Sequence, residues 1–264
     1  MSIELEKAGL DRFQKIITIA QMHPSYCKDS DTINHLVETI SKTGHRRIPI
    51  ISKNMKFTGM ITIMDVLDAY LRKNNFNEKV SSIMARNITF CERDDTIGYV
   101  LQKFKLSRRG TLPILHKSKL VGIVTEREIV KHFSKVNFGM KVEELMIKKP
   151  FLIKPNLSIL DTLKAIVNTH YRRLPIVDNK KLVGFITAID ILNFMNKNKN
   201  FSSQLSNPIE SLMIKDVYTA KKTEEVSNVI KIFEKYDIGG LPVVDESNTL
   251  EGIITERDIL EEIV

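Results

Sequence analysis

Hydrophobic residues recur in four stretches of the chain with the spacing of an amphipathic helix. The first stretch has apolar residues at positions i, i+3, i+4 and i+7: Ile33, Leu36, Val37 and Ile40. This spacing predicts a helix with one buried face. The other three stretches are Ile97, Val100, Leu101 and Phe104; Ile159, Leu163 and Ile166, with Thr162 on the same face; and Val226, Val229, Ile230 and Phe233.

Short apolar runs lie between these helices and have the length of buried strands. The runs 174–177 and 182–186 are examples, and each copy has such a run around a proline and another before a threonine. A second helix is predicted after each threonine. Each copy is therefore expected to be strand, helix, strand, strand and helix, after a short helical lead-in.

Three further markers keep one register through the chain, which makes the repeat specific. A strand ends in Gly, two apolar residues and Thr, with an acid three residues after the Thr. The pairs are Thr62 and Asp65, Thr125 and Glu128, Thr187 and Asp190, and Thr255 and Asp258. A proline precedes each pair, at Pro49, Pro113, Pro175 and Pro242, and a methionine opens each copy, at Met22, Met84, Met146 and Met213.

These markers divide the chain into four tandem copies of a mixed α/β (α+β) unit. The predicted copies are residues 1–73, 74–136, 137–198 and 199–264, with one linker at 196–208. Because so small a unit buries little surface alone, we expect copies one and two to pair, and copies three and four. The expected modules are 1–136 and 137–264.

The repeated strand-end motif and its period resemble the CBS domain. Four copies in one chain are similar to the adenine-nucleotide-sensing gamma subunit of AMP-activated protein kinase and its stand-alone archaeal relatives. The resemblance implies two CBS pairs arranged as a flat disc, with ligand clefts between paired copies. Members of the family also bind S-adenosylmethionine or NAD, so the resemblance leaves the ligand open.

The threonine and acid of each copy have two interpretations that are compatible. A Thr three residues before an acid is typical of a capping box, in which both side chains bind backbone N–H groups. The resemblance also implies that they hold ribose hydroxyls, beside a helix start that favours a phosphate. We expect ligand contact from Thr62, Asp65, Thr187, Asp190, Thr255 and Asp258, and from Thr125, with Glu128 as the departure from the pattern.

Arginine pairs occur at the same place in two of the four copies. Arg46 and Arg47 precede Pro49, and Arg172 and Arg173 precede Pro175 at the same offsets. A solvated basic turn is the plain interpretation. The guanidinium group suits phosphate because it binds two oxygens at once, and the resemblance implies phosphate contact for all four arginines.

Composition and missing motifs narrow the function further. The net charge of +8 favours anionic partners, including nucleic acid. We found no known catalytic motif, no metal-ligand spacing and no membrane-length apolar run, and the two cysteines have no CxxC spacing. The sequence thus predicts a cytoplasmic, non-catalytic protein without a metal or catalytic cofactor.

The leading hypothesis is a regulatory energy sensor that binds AMP, ADP or ATP and signals to an unidentified protein effector, with a homodimer as one arrangement. The alternative from another class is a CBS scaffold that binds nucleic acid or another protein. An enzyme is the weakest candidate, because polar residues repeated four times imply four similar sites and not one asymmetric catalytic set.

Overall fold

The computed structural model describes residues 2–73, 75–198 and 200–263. In chain order, the helices are α1 (Ser2–Lys7), α2 (Ile33–Thr43), α3 (Ile63–Leu71), α4 (Ile97–Ser107), α5 (Glu126–Lys131), α6 (Val142–Leu145), α7 (Ile159–Thr169), α8 (Ala188–Lys197), α9 (Val226–Tyr236) and α10 (Glu256–Ile263). The strands are β1 (Gln21–Met22), β2 (Cys27–Lys28), β3 (Arg47–Ile51), β4 (Phe57–Thr62), β5 (Cys91–Glu92), β6 (Thr111–His116), β7 (Lys119–Thr125), β8 (Arg173–Asp178), β9 (Lys181–Thr187), β10 (Gly240–Val244) and β11 (Leu250–Thr255).

The mixed α/β fold and its four repeats are confirmed. All four predicted amphipathic helices form, as α2, α4, α7 and α9, and each buries the predicted apolar face. A second helix follows each threonine. The first strand of each copy is the weakest element: it has two residues in copies one and two, and single bridges at Ile153 and Ala220 in copies three and four.

The chain divides into two compact units, and each unit contains two copies. One consists of the residues up to Pro24, Ile88–Lys149 and the residues from Tyr218. It holds copies two and four and is called the 2/4 unit. The other consists of Ser25–Asn87 and Pro150–Val217. It holds copies one and three and is called the 1/3 unit. The predicted modules 1–136 and 137–264 stay a prediction.

Within each unit, the two copies pack through their helices around one apolar core. In the 1/3 unit, α2 packs on α8, and α3 packs on α7 and α8. The core includes Ile33, Ile63, Leu163 and Leu192, which are essentially inaccessible to solvent. In the 2/4 unit, α5 packs on α9 and α10. Burying these apolar faces supplies most of the stability of helices this short.

Each pair of long strands is an antiparallel hairpin, and a lead-in segment from elsewhere in the chain joins it. β1 pairs with β7 of copy two. Ala85 bridges Met60 of copy one, Ile147 bridges Ile253 of copy four, and Ile214 bridges Phe185 of copy three. The lead-in segment that precedes each copy therefore pairs with the hairpin of the adjacent copy in the sequence: copies one and two exchange lead-in segments, and so do copies three and four. Each of these contacts joins residues of the same unit, and each unit contains two of them.

The recurring glycines and methionines are the two sides of this contact. A Cβ atom on Gly59 would lie 2.5 Å from the carbonyl oxygen of Ala85 and 3.1 Å from Sδ of Met84. Gly122 meets Met22 in the same way, Gly184 meets Met213, and Gly252 meets Met146. A side chain at these positions would push the lead-in strand away, which explains why both markers keep the same register.

Within the predicted linker at 196–208, the described residues 196–198 and 200–208 include secondary structure and packed side chains. α8 continues to Lys197, and a 3₁₀ turn spans Phe201–Gln204. The Phe201 ring lies 5.2 Å from that of Tyr70, and the amide of Leu160 donates to the carbonyl of Leu205. The stretch is mostly polar, but Phe201 and Leu205 attach it to neighbouring elements. No helix in the described part of the chain has the length and apolar character needed to cross a membrane.

Candidate functional site

The four threonine–acid pairs form helix caps at the end of a strand. The threonine is the last residue of β4, β7, β9 and β11, and the next residue begins a helix. In copy one, the Thr62 amide donates to Oδ2 of Asp65 over 2.6 Å, and the Thr62 hydroxyl donates to the same oxygen over 2.8 Å. The capping-box interpretation is therefore present in the structure.

Copies three and four repeat this geometry closely. The Thr187 amide and hydroxyl donate to Oδ2 of Asp190 over 2.9 and 2.6 Å. The Thr255 amide and hydroxyl donate to Oδ2 of Asp258, both over 2.7 Å. In these two copies, as in copy one, the cap uses Oδ2 and does not occupy Oδ1. Each pair is half-buried, so a ligand that reaches the helix start could still meet the second carboxylate oxygen.

Copy two carries the departure from the pattern. The Thr125 amide donates to Oε2 of Glu128 over 3.1 Å, and the Thr125 hydroxyl donates to the same oxygen. The longer side chain thus completes the same capping box. As a cap, Glu128 therefore makes the same hydrogen bonds with its threonine as the aspartates make in the other copies.

Arg47 and Arg173 lie directly beside these caps. Arg47 is the cross-strand partner of Thr62 in the β3–β4 hairpin, and Arg173 is the partner of Thr187 in β8–β9. Directly opposed residues in an antiparallel pair project from the same face, with Cβ atoms about 5 Å apart. The predicted arginine and the predicted Thr–acid pair are therefore neighbours in copies one and three, and both arginines are half-buried.

Arg46 and Arg172 hold a different position. The carbonyl of Arg46 accepts the amide of Ile63 over 2.9 Å, and the carbonyl of Arg172 accepts that of Ala188 over 2.9 Å. Their backbones thus fix the first turn of the helix that each capped threonine begins. The position matters structurally whatever the side chain contacts.

Copies two and four have no arginine at the place beside the cap. The cross-strand partner of Thr125 is Thr111, and that of Thr255 is Gly240. Both of these residues are buried. The structure therefore groups the arginine-bearing copies in the 1/3 unit and the arginine-free copies in the 2/4 unit.

The pKa of the Asp258 carboxyl group in the copy-four cap is raised above its ordinary value. Burial raises the pKa of its carboxyl group, while the hydrogen bonds from the Thr255 hydroxyl and amide lower it less. Repulsion from Glu261 adds to the rise, and Arg257 opposes it weakly. The carboxylate of copy four is thus held in a less polar environment than an exposed aspartate.

In the 2/4 unit, charged residues next to the caps serve the contact between the two copies. Arg127 Nε donates to Oε1 of Glu256 over 2.6 Å, and its Nη1 donates to Oδ1 of Asp237 over 2.5 Å. Reciprocally, Arg257 Nε donates to Oε1 of Glu126 over 3.0 Å. Glu126 and Glu256 are buried, and the Arg127–Glu256 pair is the most desolvated of these contacts, because Arg257 and Asp237 are more exposed.

The sequence markers of the repeat do not single out Glu126, Arg127, Glu256 or Arg257, although a signal for them is present. Copies two and four both continue the motif threonine with Glu-Arg, whereas copies one and three continue it with Ile63-Met64 and Ala188-Ile189. The alternation of charged and apolar dipeptides matches the grouping of copies into units.

A cavity of about 640 Å³ in the 1/3 unit is lined by residues such as Tyr70 and Met195, and by none of the predicted site residues.

Comparison with known proteins gives a consistent family. The CBS domain pattern matches residues 18–72, 80–135, 142–197 and 209–264. The chain is similar to protein MJ1225 of Methanocaldococcus jannaschii, with 28% identity over 256 residues that cover 87% of this chain and 91% of that protein. The crystal structure of MJ1225, described there as a proposed archaeal homologue of g-AMPK, superposes with a TM-score of 0.86 at 27% identity and covers 95% of this chain and all of that one.

Two further relatives extend the likeness. A 33.4 kDa protein from the ribosomal RNA operon of Thermofilum pendens is 24% identical over 240 residues, which cover 81% of this chain and 79% of that protein. A conserved protein of Pyrococcus horikoshii superposes with a TM-score of 0.67 at 20% identity, over 95% of this chain and all of that one. The second likeness shows the shared fold alone.

Proposed function

Because this chain belongs to the CBS-domain family, we propose that it is a non-catalytic regulatory protein that binds an adenine nucleotide: AMP, ADP or ATP. The observation that carries the proposal is the cross-strand pairing of Arg47 with Thr62, and of Arg173 with Thr187. In both copies a cation stands next to a capped carboxylate at a helix start.

The chemistry of this group matches the two polar ends of a nucleotide. Oδ1 of Asp65 or Asp190 accepts hydrogen bonds from ribose hydroxyls, since the cap uses Oδ2. The guanidinium of Arg47 or Arg173 binds phosphate oxygens, and the amide end of α3 or α8 adds positive potential. Thr62 and Thr187 hold the carboxylate in place and offer a hydroxyl oxygen.

The magnitudes favour copies one and three over copies two and four. A charge-assisted hydrogen bond contributes about 1.5–3 kcal/mol, and a micromolar ligand needs about 8 kcal/mol in total. An arginine, two ribose contacts and a buried base all contribute towards this total, against the cost of association. The sites at Thr125 and at Thr255 with Asp258 lack the adjacent arginine and should bind phosphates more weakly.

The regulatory part of the proposal follows from where the ligand would attach. A nucleotide that bridges Arg47 and Asp65 links the end of β3 to the start of α3, and α3 packs on helices of copy three. Different phosphate chains would stabilise different arrangements of these elements. An energy-sensing signal to a protein effector would use that difference.

Isothermal titration calorimetry of the full chain against AMP, ADP and ATP tests the proposal. We expect Arg173→Ala to weaken ATP and ADP binding about tenfold or more, which corresponds to about 1.4 kcal/mol. Asp190→Ala should weaken all three nucleotides and adenosine, since it removes the ribose contact. Arg109→Ala is the matched control, because it removes an exposed arginine of copy two that lies outside β6, where Thr111 and not an arginine is the cross-strand partner of Thr125.

Three outcomes would count against the proposal. Equal losses in Arg173→Ala and Arg109→Ala would indicate a general effect of charge. Tight binding of S-adenosylmethionine or NAD that ignores both Arg47→Ala and Arg173→Ala would make the phosphate assignment wrong. Binding of an oligonucleotide with a steep salt dependence, without nucleotide binding, would favour the nucleic-acid scaffold.

A further inference from the structure

A cysteine, an aspartate and a histidine come together in copy one, away from the strand-end site. Cys27 lies on β2, Asp31 lies in the turn before α2, and His35 lies in the first turn of α2. One ligand atom from each lies within 4.8 Å of the others, and Nε2 of His35 is 3.9 Å from Oδ2 of Asp31. From these residues we infer a binding site for a zinc-class divalent metal ion.

The donor set fits this class of ion. Thiolate, imidazole and carboxylate are the ligands that zinc and cobalt take in proteins, at bond lengths of about 2.0–2.3 Å. One thiolate and one carboxylate neutralise a divalent charge, and the imidazole binds as a neutral ligand. Donor atoms in such a site lie about 3.3–3.8 Å apart, so the three groups need to close by about 1 Å. His35 is exposed and can rotate to do so.

A second observation, independent of the donor set in copy one, is that the equivalent place in copy two holds a cation, the Lys103 ammonium. Cys91 and Asp95 there correspond to Cys27 and Asp31, because Cys27 pairs with Ile50 of β3 and Cys91 pairs with Ile114 of β6 at matching positions. The Lys103 ammonium donates to Oδ2 of Asp95 over 2.8 Å and to the carbonyl of Phe90 over 3.0 Å. Copy two thus satisfies its carboxylate with a tethered positive charge.

Copy one replaces that lysine with Thr39. The Thr39 hydroxyl donates to the carbonyl of His35 over 2.9 Å. Sγ of Cys27 lies 3.9 Å from the same Thr39 hydroxyl oxygen. The aromatic ring of Tyr99, which Lys103 approaches within 4.5 Å, is replaced in copy one by the imidazole of His35. Loss of the ammonium together with gain of a ligating side chain is the exchange expected when a metal ion takes the place of a lysine.

The two turns are otherwise alike, which makes copy two a built-in control. Oδ2 of Asp31 accepts the Lys28 amide over 2.7 Å, and Oδ2 of Asp95 accepts the Glu92 amide over 3.0 Å. Burial raises the pKa of both thiols, that of Cys91 to about 12.

Titration of the full reduced chain with Co²⁺ under anaerobic conditions tests the inference. We expect one thiolate-to-cobalt charge-transfer band at one metal per chain, displaced by Zn²⁺. Cys27→Ser should remove the band, and Cys91→Ser should leave it. Because loss of even an outer-shell partner weakens metal binding about 10–100-fold, His35→Ala should weaken it at least that much.

Two exchange variants keep the test decisive if Cys27→Ser fails to fold. Thr39→Lys introduces the copy-two ammonium and should abolish cobalt binding without loss of folding. Tyr99→His with Lys103→Thr should create a second site in copy two. No thiolate band in the parent protein, a band lost in Cys91→Ser but not in Cys27→Ser, or full binding by Thr39→Lys would each overturn the inference.

Discussion

The two units differ in what they bury at the start of the second helix of each copy. In the 2/4 unit, Glu126 and Glu256 are buried and paired with arginines of the opposite copy. In the 1/3 unit, the same positions are Ile63 and Ala188, both buried and apolar. One repeat thus joins its copies in two ways, by reciprocal ion pairs in one unit and by apolar packing in the other.

This difference separates two uses of arginine in one protein. Arg127 and Arg257 are committed to the contact between copies two and four, and no arginine stands on the strand beside their caps. Arg47 and Arg173 stand on that strand in the 1/3 unit, where apolar residues make the contact. The 1/3 unit therefore combines an apolar contact between its copies with an arginine on the strand beside each cap.

The largest expected effect comes from breaking the better-buried ion pair. Glu256→Ala leaves the Arg127 guanidinium, whose side chain is 18% exposed, without its main partner. Removing one partner of a buried pair costs about 3–5 kcal/mol, and we expect a loss near the lower end, about 3 kcal/mol, in the free energy of unfolding measured by urea denaturation. Asp237 remains as a second, more exposed partner.

Two controls decide whether burial of charge is the cause. Glu126→Ala frees Arg257, which is 35% exposed, so the loss should be smaller, about 1–2 kcal/mol. Glu256→Ala combined with Arg127→Met copies the apolar chemistry of the 1/3 unit and should recover most of the stability. If the double variant is as unstable as the single one, the ion pair is not what distinguishes the two units.

The elements of both units could be predicted from the sequence because they depend on local spacing. The face formed by Ile33, Leu36 and Ile40 repeats in every copy and gives the same helix wherever it occurs. The grouping of copies into units was not accessible in this way. All four copies present similar apolar faces, and only the residues after each capped threonine tell which faces meet.

For the candidate site, too, the features set by local spacing could be predicted from the sequence, and those set by contacts between distant residues could not. The capping role of Thr62 and Asp65 follows from a spacing of three residues, so it was predictable. The pairing of Arg47 with Thr62 depends on the register of the β3–β4 hairpin, which Pro49 and Gly59 marked but did not fix. The contact of Gly59 with Met84 was hidden for a further reason: it joins two markers of the repeat across copies, and spacing within one copy cannot reveal it.

An intermediate effect is expected from the glycines at these crossings, and it should follow how closely an added Cβ would approach the backbone of the lead-in segment in each copy. In the 1/3 unit, a Cβ on Gly59 would lie 2.5 Å from a backbone oxygen, that of Ala85. In the 2/4 unit, a Cβ on Gly122 would meet the Gln21 oxygen at 3.1 Å and Sδ of Met22 at 3.2 Å. Overpacking costs about 1–3 kcal/mol, so we expect Gly59→Ala to lose about 2 kcal/mol and Gly122→Ala less than about 1 kcal/mol.

Thermal unfolding of the two variants measures this difference. Gly184→Ala offers a further comparison, because its nearest contact is the flexible end of Met213, with Sδ at 2.5 Å. Combining Gly184→Ala with Met213→Ala should relieve the crowding that the single change creates. Equal losses in Gly59→Ala and Gly122→Ala would show that the distance from the added Cβ to the lead-in backbone does not set the cost.

The smallest effect concerns the carboxylate of copy four, where the hydrogen bonds from Thr255 offset burial only in part. Because the folded pKa of Asp258 is raised, the folded state holds its proton more tightly than the unfolded chain. Its contribution to stability is then full below the unfolded pKa of about 3.8 and is lost as the pH rises through the folded pKa. Asp258→Asn removes this dependence.

The free energy of unfolding, measured from pH 3 upward, should therefore shift steadily in favour of Asp258→Asn relative to the parent protein, and the difference should level off above the folded pKa. An exposed aspartate, changed in Asp216→Asn, supplies the baseline. A difference that moves the other way would mean that the ionised carboxylate is stabilised in the fold. The two hydrogen bonds from Thr255 would then stabilise the ionised carboxylate of Asp258 by more than burial destabilises it.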